Sequence, residues 1–352
     1  MAHEHLINDL VAVVEKEDAS DLHLCEGRMP FTRISGLLIP LEKFAPLTRA
    51  DIGGILDDLL PDGKKDEFLK NKEVDFSYAA NSVRFRGNAF FQQGLMAIAL
   101  RLIPKRIRSL QELRLPSLLE TFTKQTQGFF LVVGPIGQGK STTLASMIEL
   151  INTDRPAHIL TIEDPIEYQY ESKKAIIDQR EIGLDTSSFH QALVSMVRED
   201  INVVLVGEMR DSETMSAAVT AAETGHLVFS TLHTNNAPQT IDRIIDSFPA
   251  GQQPQIRTQL AGSLSGIFSQ RLIPRIAGGV IPAFELLISN TAVSNLIRES
   301  RTHEIPSVIE TGSQSGMIDF NRSLADLVRA GEITIENAYH YSLNPKILEK
   351  LL

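Results

Sequence analysis

The chain has 352 residues, 43% of them apolar, and a formal net charge of −10; this length and apolar fraction predict two or three folded domains with sizeable cores and exclude a disordered scaffold. The acidic balance argues against a general nucleic-acid binder, which needs clustered Lys and Arg to neutralise phosphates. A single cysteine, Cys25, excludes an intramolecular disulfide framework and a cysteine-cluster zinc site and agrees with a reducing cytosol.

Residues 5–14 carry an acid and no basic leader, so they do not read as a cleavable signal. No apolar run approaches the ~18 to 20 residues of a membrane span, so no inserted segment is expected. Over residues 3–17 the apolar positions Leu6, Ile7, Leu10, Val11 and Val14 recur at helical spacing. Residues 20–24, 31–34 and 37–39 read as short strands, with turns at 28–30 and 35–36. Helical patterns at 49–60 and 63–70 precede strand patterns at 74–78, 83–90 and 96–102. The order predicts an α+β domain over residues 1–103, with helices on one side of the strands.

Pro104 and the basic stretch 105–108, read as a solvated connector, open a linker over 104–115, with short helices expected around 110–123. From Gly128 the pattern changes. Strand runs at 129–133, 159–162, Val203–Val206 and 227–230 alternate with helical stretches, the arrangement of a parallel sheet covered on both faces. Past residue 240 the chain reads as mostly helical, with a turn at Gly278-Gly279 and a short strand near 280–286. The fold class is therefore α/β, with residues 116–352 as the second domain. No internal repeat or low-complexity tract is present.

The segment Gly134-Pro135-Ile136-Gly137-Gln138-Gly139-Lys140-Ser141 follows an apolar strand run and leads, through Thr142, into a helical pattern. It fits the phosphate-binding loop G-x-x-x-x-G-K-[ST] in its strand–turn–helix context, against which a chance glycine turn is the alternative. The glycines permit backbone N–H groups to converge on phosphate oxygens at a helix N-terminus. Lys140 supplies a cation to the β/γ-phosphates and Ser141 a hydroxyl to Mg²⁺. The expected cofactors are ATP and Mg²⁺.

Hydrolysis also needs a group that orients water and an acid on the metal side. Residues 159–162 run into Glu163-Asp164-Pro165-Ile166-Glu167, and residues 203–207 run into Glu208. Both place carboxylates at the C-terminal ends of buried strands, where doubly wound sheets bind ligands. Singly these acids read equally well as surface loop residues or helix caps. Residues 225–234 end another strand with His233, a candidate reporter of the γ-phosphate.

The segments GPIGQGKST (134–142), ILTIEDPIEY (159–168), REDINVVLVGEMRD (198–211) and TAAETGHLVFSTLHT (220–234) together resemble the secretion-ATPase superfamily and, within it, the retraction ATPases of type IV pili. The resemblance extends to residues 20–24, 84–89, 295–299 and 302–306, and so covers nearly the whole chain. It implies a PAS-like N-terminal domain joined to a RecA-like ATPase domain with a helical C-terminal part. It matches Lys140 and Ser141 to the Walker A pair, Glu163 to the acid that polarises water, and Glu208 to the Walker B acid near Mg²⁺, through water where contact is indirect. His233 matches the nucleotide-state sensor, and Arg86 and Arg101 match arginines that complete the site from the N-terminal side; as plain strand residues they would be surface cations.

The family further implies a homo-hexamer, a cytoplasmic location at the inner-membrane pilus base, a platform protein as partner, and a paralogous retraction ATPase as a further one. Extension motors of the superfamily carry a longer N-terminal region and four metal-binding cysteines, absent here. Gln138 stands where serine is usual, and Ile201-Asn202 where Pro-Asp is commoner. An accessory retraction paralogue, a type II or IV secretion ATPase and a nonhydrolysing nucleotide-binding regulator remain alternatives.

Overall fold

The computed structural model describes every residue except Met1, Asp18, Ser35, Asp62, Asn81, Ser82 and Lys105, together with the side chains of residues 2–5. The turn expected at Ser35 and the first residue of the basic stretch fall outside the described residues. The chain forms two compact units, residues 1–106 with 165–169, and residues 107–164 with 170–352.

The first unit is built on six antiparallel strands: β1 Asp21–Cys25, β2 Phe31–Ile34, β3 Leu37–Pro40, β4 Glu73–Ala80, β5 Val83–Gln92 and β6 Leu95–Ile103, in the order β3-β2-β1-β6-β5-β4. Helix Ala2–Lys16 contributes Ile7, Leu10, Val11 and Val14, all fully buried, as their 3–4 spacing requires. Helix Arg49–Leu59 starts at a capping box: the Thr48 hydroxyl accepts from the Asp51 N–H while the Asp51 carboxylate accepts from the Thr48 N–H. It buries Ile52, Ile55, Leu56 and Leu59 in the same core as Phe85, Ile98 and Leu100 of the sheet. Gly87 on β5 lies directly opposite Phe76 on β4, and a Cβ there would stand 2.3 Å from the Phe76 ring. Glycine is what lets that ring lie across the sheet.

The second unit holds seven strands: β7 Gly128–Val133, β8 His158–Glu163, β9 Ile176–Glu181, β10 Val203–Val206, β11 Leu227–Leu232, β12 Leu264–Pro274 and β13 Val280–Ile288. Their order is β13-β12-β7-β11-β10-β8-β9, parallel throughout except for β13 against β12. Alternation along each strand divides the side chains between two cores. Phe129, Leu131 and Val133 pack with helices Phe189–Met196, Ser212–Glu223, Ala237–Asp246 and Gln253–Ser263 on one face. Phe130 and Val132 pack with helix Lys140–Asp154 on the other. Burial on both faces is why β7 and β10 read as unbroken apolar runs and β11 as one through Phe229.

Two strands depart from the sequence reading. Residues 264–288, expected to be mostly helical with one short strand, form a long hairpin in which β12 pairs β7 in parallel and β13 in antiparallel fashion. Ser269 and Gln270 break the apolar pattern of β12, yet both are buried. β9 was not expected at all, because an edge strand with Asp178, Gln179 and Arg180 shows no apolar run. In the 110–123 region only Leu119–Thr123 is helical.

Candidate active site

Strands β7, β11, β10 and β8 are consecutive neighbours, with Val133 opposite Leu232 and Val206 opposite both Ser230 and Ile162. Their C-terminal ends therefore lie along one edge. The sheet brings side by side the phosphate loop after β7, His233 directly past β11, Glu208 two residues past β10, and Glu163 at the end of β8. Polar groups lock these ends together. The Ser230 hydroxyl donates to the Val206 carbonyl at 2.8 Å, Thr231 to the Gly207 carbonyl at 2.6 Å, and the Gly207 N–H to the Ile162 carbonyl at 2.8 Å.

In the loop, Gly134, Gly137 and Gly139 have φ of 148°, 76° and 80°, a region that side-chain-bearing residues avoid. Pro135 is half-buried and Ile136 exposed, while Ser141 and Thr142 are half-buried in the first turn of the helix. Lys140 is buried, and its ammonium donates to the Gly134 and Pro135 carbonyls, both at 2.9 Å. It also lies 3.2 Å from His233 Nδ1. An ammonium has donors only, so the ring accepts at Nδ1 and carries its proton on Nε2, 3.8 Å from Glu208 Oε2. Burial, then the Lys140 charge, depress the imidazole's pKa, with Arg210 adding to the effect and Glu208 opposing it. The ring is neutral at pH 7.

Glu208 accepts from the Arg210 guanidinium, whose other arm lies 3.7 Å from Asp164 Oδ2. The hydrogen bond to Glu208 raises the Arg210 pKa; burial opposes this, and the Glu208 and Asp164 charges reinforce it. Glu163 is buried, with Oε1 accepting from the Thr161 hydroxyl at 2.7 Å and from the Gln179 amide of β9 at 3.4 Å. These donors fix where the carboxylate points.

Three site residues escaped the sequence reading: Arg210, Gln179 and Gln270. Gln270 on β12 accepts from the Thr143 hydroxyl at 2.7 Å and donates to the Gln138 carbonyl, and the Gln138 side chain accepts from the Leu272 N–H at 2.7 Å. The only signal for Arg210 is a base two residues after Glu208; Gln179 and Gln270 carry none. Arg86 and Arg101 belong to the other unit, where they stand opposite each other on β5 and β6. Arg101 Nε donates to Asp21 at 2.9 Å. Burial acts to raise the Asp21 pKa, but the Ser20 and Arg101 hydrogen bonds and the Arg101 charge outweigh it and hold the pKa below its usual value.

Among the described residues no group of three or more His, Cys, Asp or Glu is placed to hold a metal by itself. One hydroxyl, Ser141, and one carboxylate, Glu208, suit Mg²⁺, which keeps several waters and takes its remaining ligands from phosphate.

The family model described as Type II/IV secretion system protein matches residues 55–305. The Type IV pilus retraction ATPase PilT of Pseudomonas aeruginosa is 43% identical over 333 residues, 94% of this chain and 96% of the relative. A Twitching motility protein of Neisseria gonorrhoeae is 48% identical over 317 residues, 90% and 84% of the two chains. The crystal structure of the pilus retraction motor PilT with bound ADP superposes with a TM-score of 0.90 at 45% identity, covering 97% of this chain and 98% of that one.

Proposed function

Since the chain belongs to the type II/IV secretion system protein family, we propose that it is an ATPase motor that powers type IV pilus retraction. The observation that carries the reading is the unbroken series of contacts from Lys140 through His233 and Glu208 to Arg210 and Asp164, which crosses the ends of four parallel strands. On this reading the loop N–H groups and Lys140 bind the β/γ-phosphates, and Lys140 exchanges its two backbone carbonyl partners for phosphate oxygens. Glu163 orients the attacking water and accepts its proton, its carboxylate held by Thr161 and Gln179. His233 touches both the phosphate-binding lysine and the metal-side acid, the position a sensor of nucleotide state needs.

Mg²⁺ would be held by the Ser141 hydroxyl and by Glu208, through water where contact is indirect, and when bound would neutralise charge on the β/γ-phosphates. On this reading Arg86 and Arg101, directly opposite each other on β5 and β6, serve as arginine fingers, as their match to the family's N-terminal arginines implies. The domain partition is 1–103, a linker at 104–115, and 116–352. Six copies form the working ring, peripheral at the cytoplasmic face of the inner membrane, with a platform protein and a paralogous retraction ATPase as partners. Among the described residues no helix is long and apolar enough to cross a membrane. Deleting the gene tests the retraction assignment: abundant pili that never shorten, with loss of twitching, are expected, and loss of pili contradicts it.

A further inference from the structure

We infer that β12 is a positioning strand for the phosphate loop, with Gln270 and Gln138 as the positioning residues. The inference rests on the nucleotide-binding reading above and adds a device that sets the loop's curvature. In the parallel β7–β12 ladder the last pair is Val133 with Ser269, so β12 continues past the point where β7 turns into the loop. The edge of β12 beyond Ser269 faces the loop rather than a strand.

The contacts follow from that geometry. The buried Gln270 amide is used at both ends: Oε1 accepts from Thr143 in the first turn of the helix, and Nε2 donates to the Gln138 carbonyl in the middle of the loop. The Gln138 side chain reaches back and accepts from the Leu272 N–H, taking the place of a missing strand partner. At the start of the loop the Gln270 backbone sets the clearance, because a Cβ on Gly134 would stand 2.4 Å from the Gln270 carbonyl oxygen. A Cβ on Gly139 would lie 3.1 Å from Gln270 Nε2. The loop is thus fixed at its beginning, its middle and its exit by two successive outward positions of one strand. A side chain shorter than glutamine at 138 would not span the gap to Leu272.

None of these atoms is placed to take part in bond breaking. Their effect is on where the loop N–H groups converge, and so on affinity for β-phosphate. The test uses the full-length protein, with MgADP titrations and steady-state hydrolysis of MgATP, on Gln270→Met and Gln138→Met. Each variant should raise the Kd for MgADP and the KM for ATP about tenfold, as expected for losing one or two buried hydrogen bonds, while kcat at saturation stays within about threefold. A purely structural role would lower the melting temperature and the folded fraction and leave the Kd of the folded protein at the wild-type value. Folded variants with Kd within about twofold of wild type, or with kcat lost at unchanged KM, overturn the inference. If Gln270→Met does not fold, the half-buried Gln138→Met decides alone. Failure of the wild type itself to bind MgADP would instead overturn the nucleotide reading.

Discussion

Lys140 donates to the Gly134 and Pro135 carbonyls and lies 3.2 Å from His233 Nδ1, and on the proposed reading its ammonium turns to the phosphates when nucleotide binds. Replacing it with Ala should abolish ATP hydrolysis in a purified preparation while the fold is retained, as judged by circular dichroism; hydrolysis at the wild-type rate would contradict the site. Arg210 acts in the opposite sense. It occupies Glu208, the acid assigned to the metal side, and its side chain is 65% exposed, so the pair is worth only about 0.2–1 kcal/mol. Arg210→Ala should therefore lower the Mg²⁺ concentration for half-maximal hydrolysis by about 1.4- to fivefold. A magnesium titration that shows no change or a rise would count against this competition. Gln138, unusual in a loop where serine is expected, is accounted for by its bond to Leu272, a partner 134 positions away that no local reading could supply.

The β12–β13 hairpin joins two parts of the site. From β12, Gln270 reaches the phosphate loop; from β13, the buried Glu285 accepts the Ala237 N–H at 2.8 Å and the Ser269 hydroxyl at 3.4 Å. Ala237 opens the helix that follows His233 and Thr234. Burial is the main cause that raises the Glu285 pKa from 4.5 to about 7; the Ala237 and Ser269 hydrogen bonds oppose it and the Asp319 charge adds to it. Between pH 4.5 and about 7 the folded chain holds a proton here that the unfolded chain has released. This contribution to stability therefore falls as pH rises through that window and is constant above it. The melting temperature of Glu285→Gln relative to wild type should rise between pH 5 and 7 and level off by pH 8, whereas a difference independent of pH would show that Glu285 is ionised in the folded protein throughout.

The same hairpin marks where sequence reading stopped. β7 and β10 were legible because burial on both faces makes them continuously apolar, and β11 because it opens on the apolar run Leu227, Val228 and Phe229; the four motifs were legible because each sits where a buried strand ends. β12 was not, since Ser269 and Gln270 are polar for the sake of partners on Glu285 and on a loop 132 positions away, which exist only once the sheet has formed.

Across the whole molecule, the proposed motor needs cations from the first unit as well as the strand-end site of the second. Arg86 and Arg101 face each other on β5 and β6, and Arg101 is balanced by Asp21. Replacing both with Ala should leave MgADP affinity of the nucleotide site near wild type and reduce hydrolysis by roughly 10³, the lower range for an arginine finger; a double variant that keeps its rate would return them to ordinary surface residues. The central claim, that this set of strand-end groups hydrolyses ATP, is tested most directly by measuring MgATP binding and turnover on Glu163→Gln beside the wild type. The variant keeps the size of the side chain and its acceptor for Thr161 but cannot take a proton. Binding within about threefold of wild type with turnover reduced by about 10²- to 10⁴-fold is the predicted result, and wild-type turnover in the variant would contradict it.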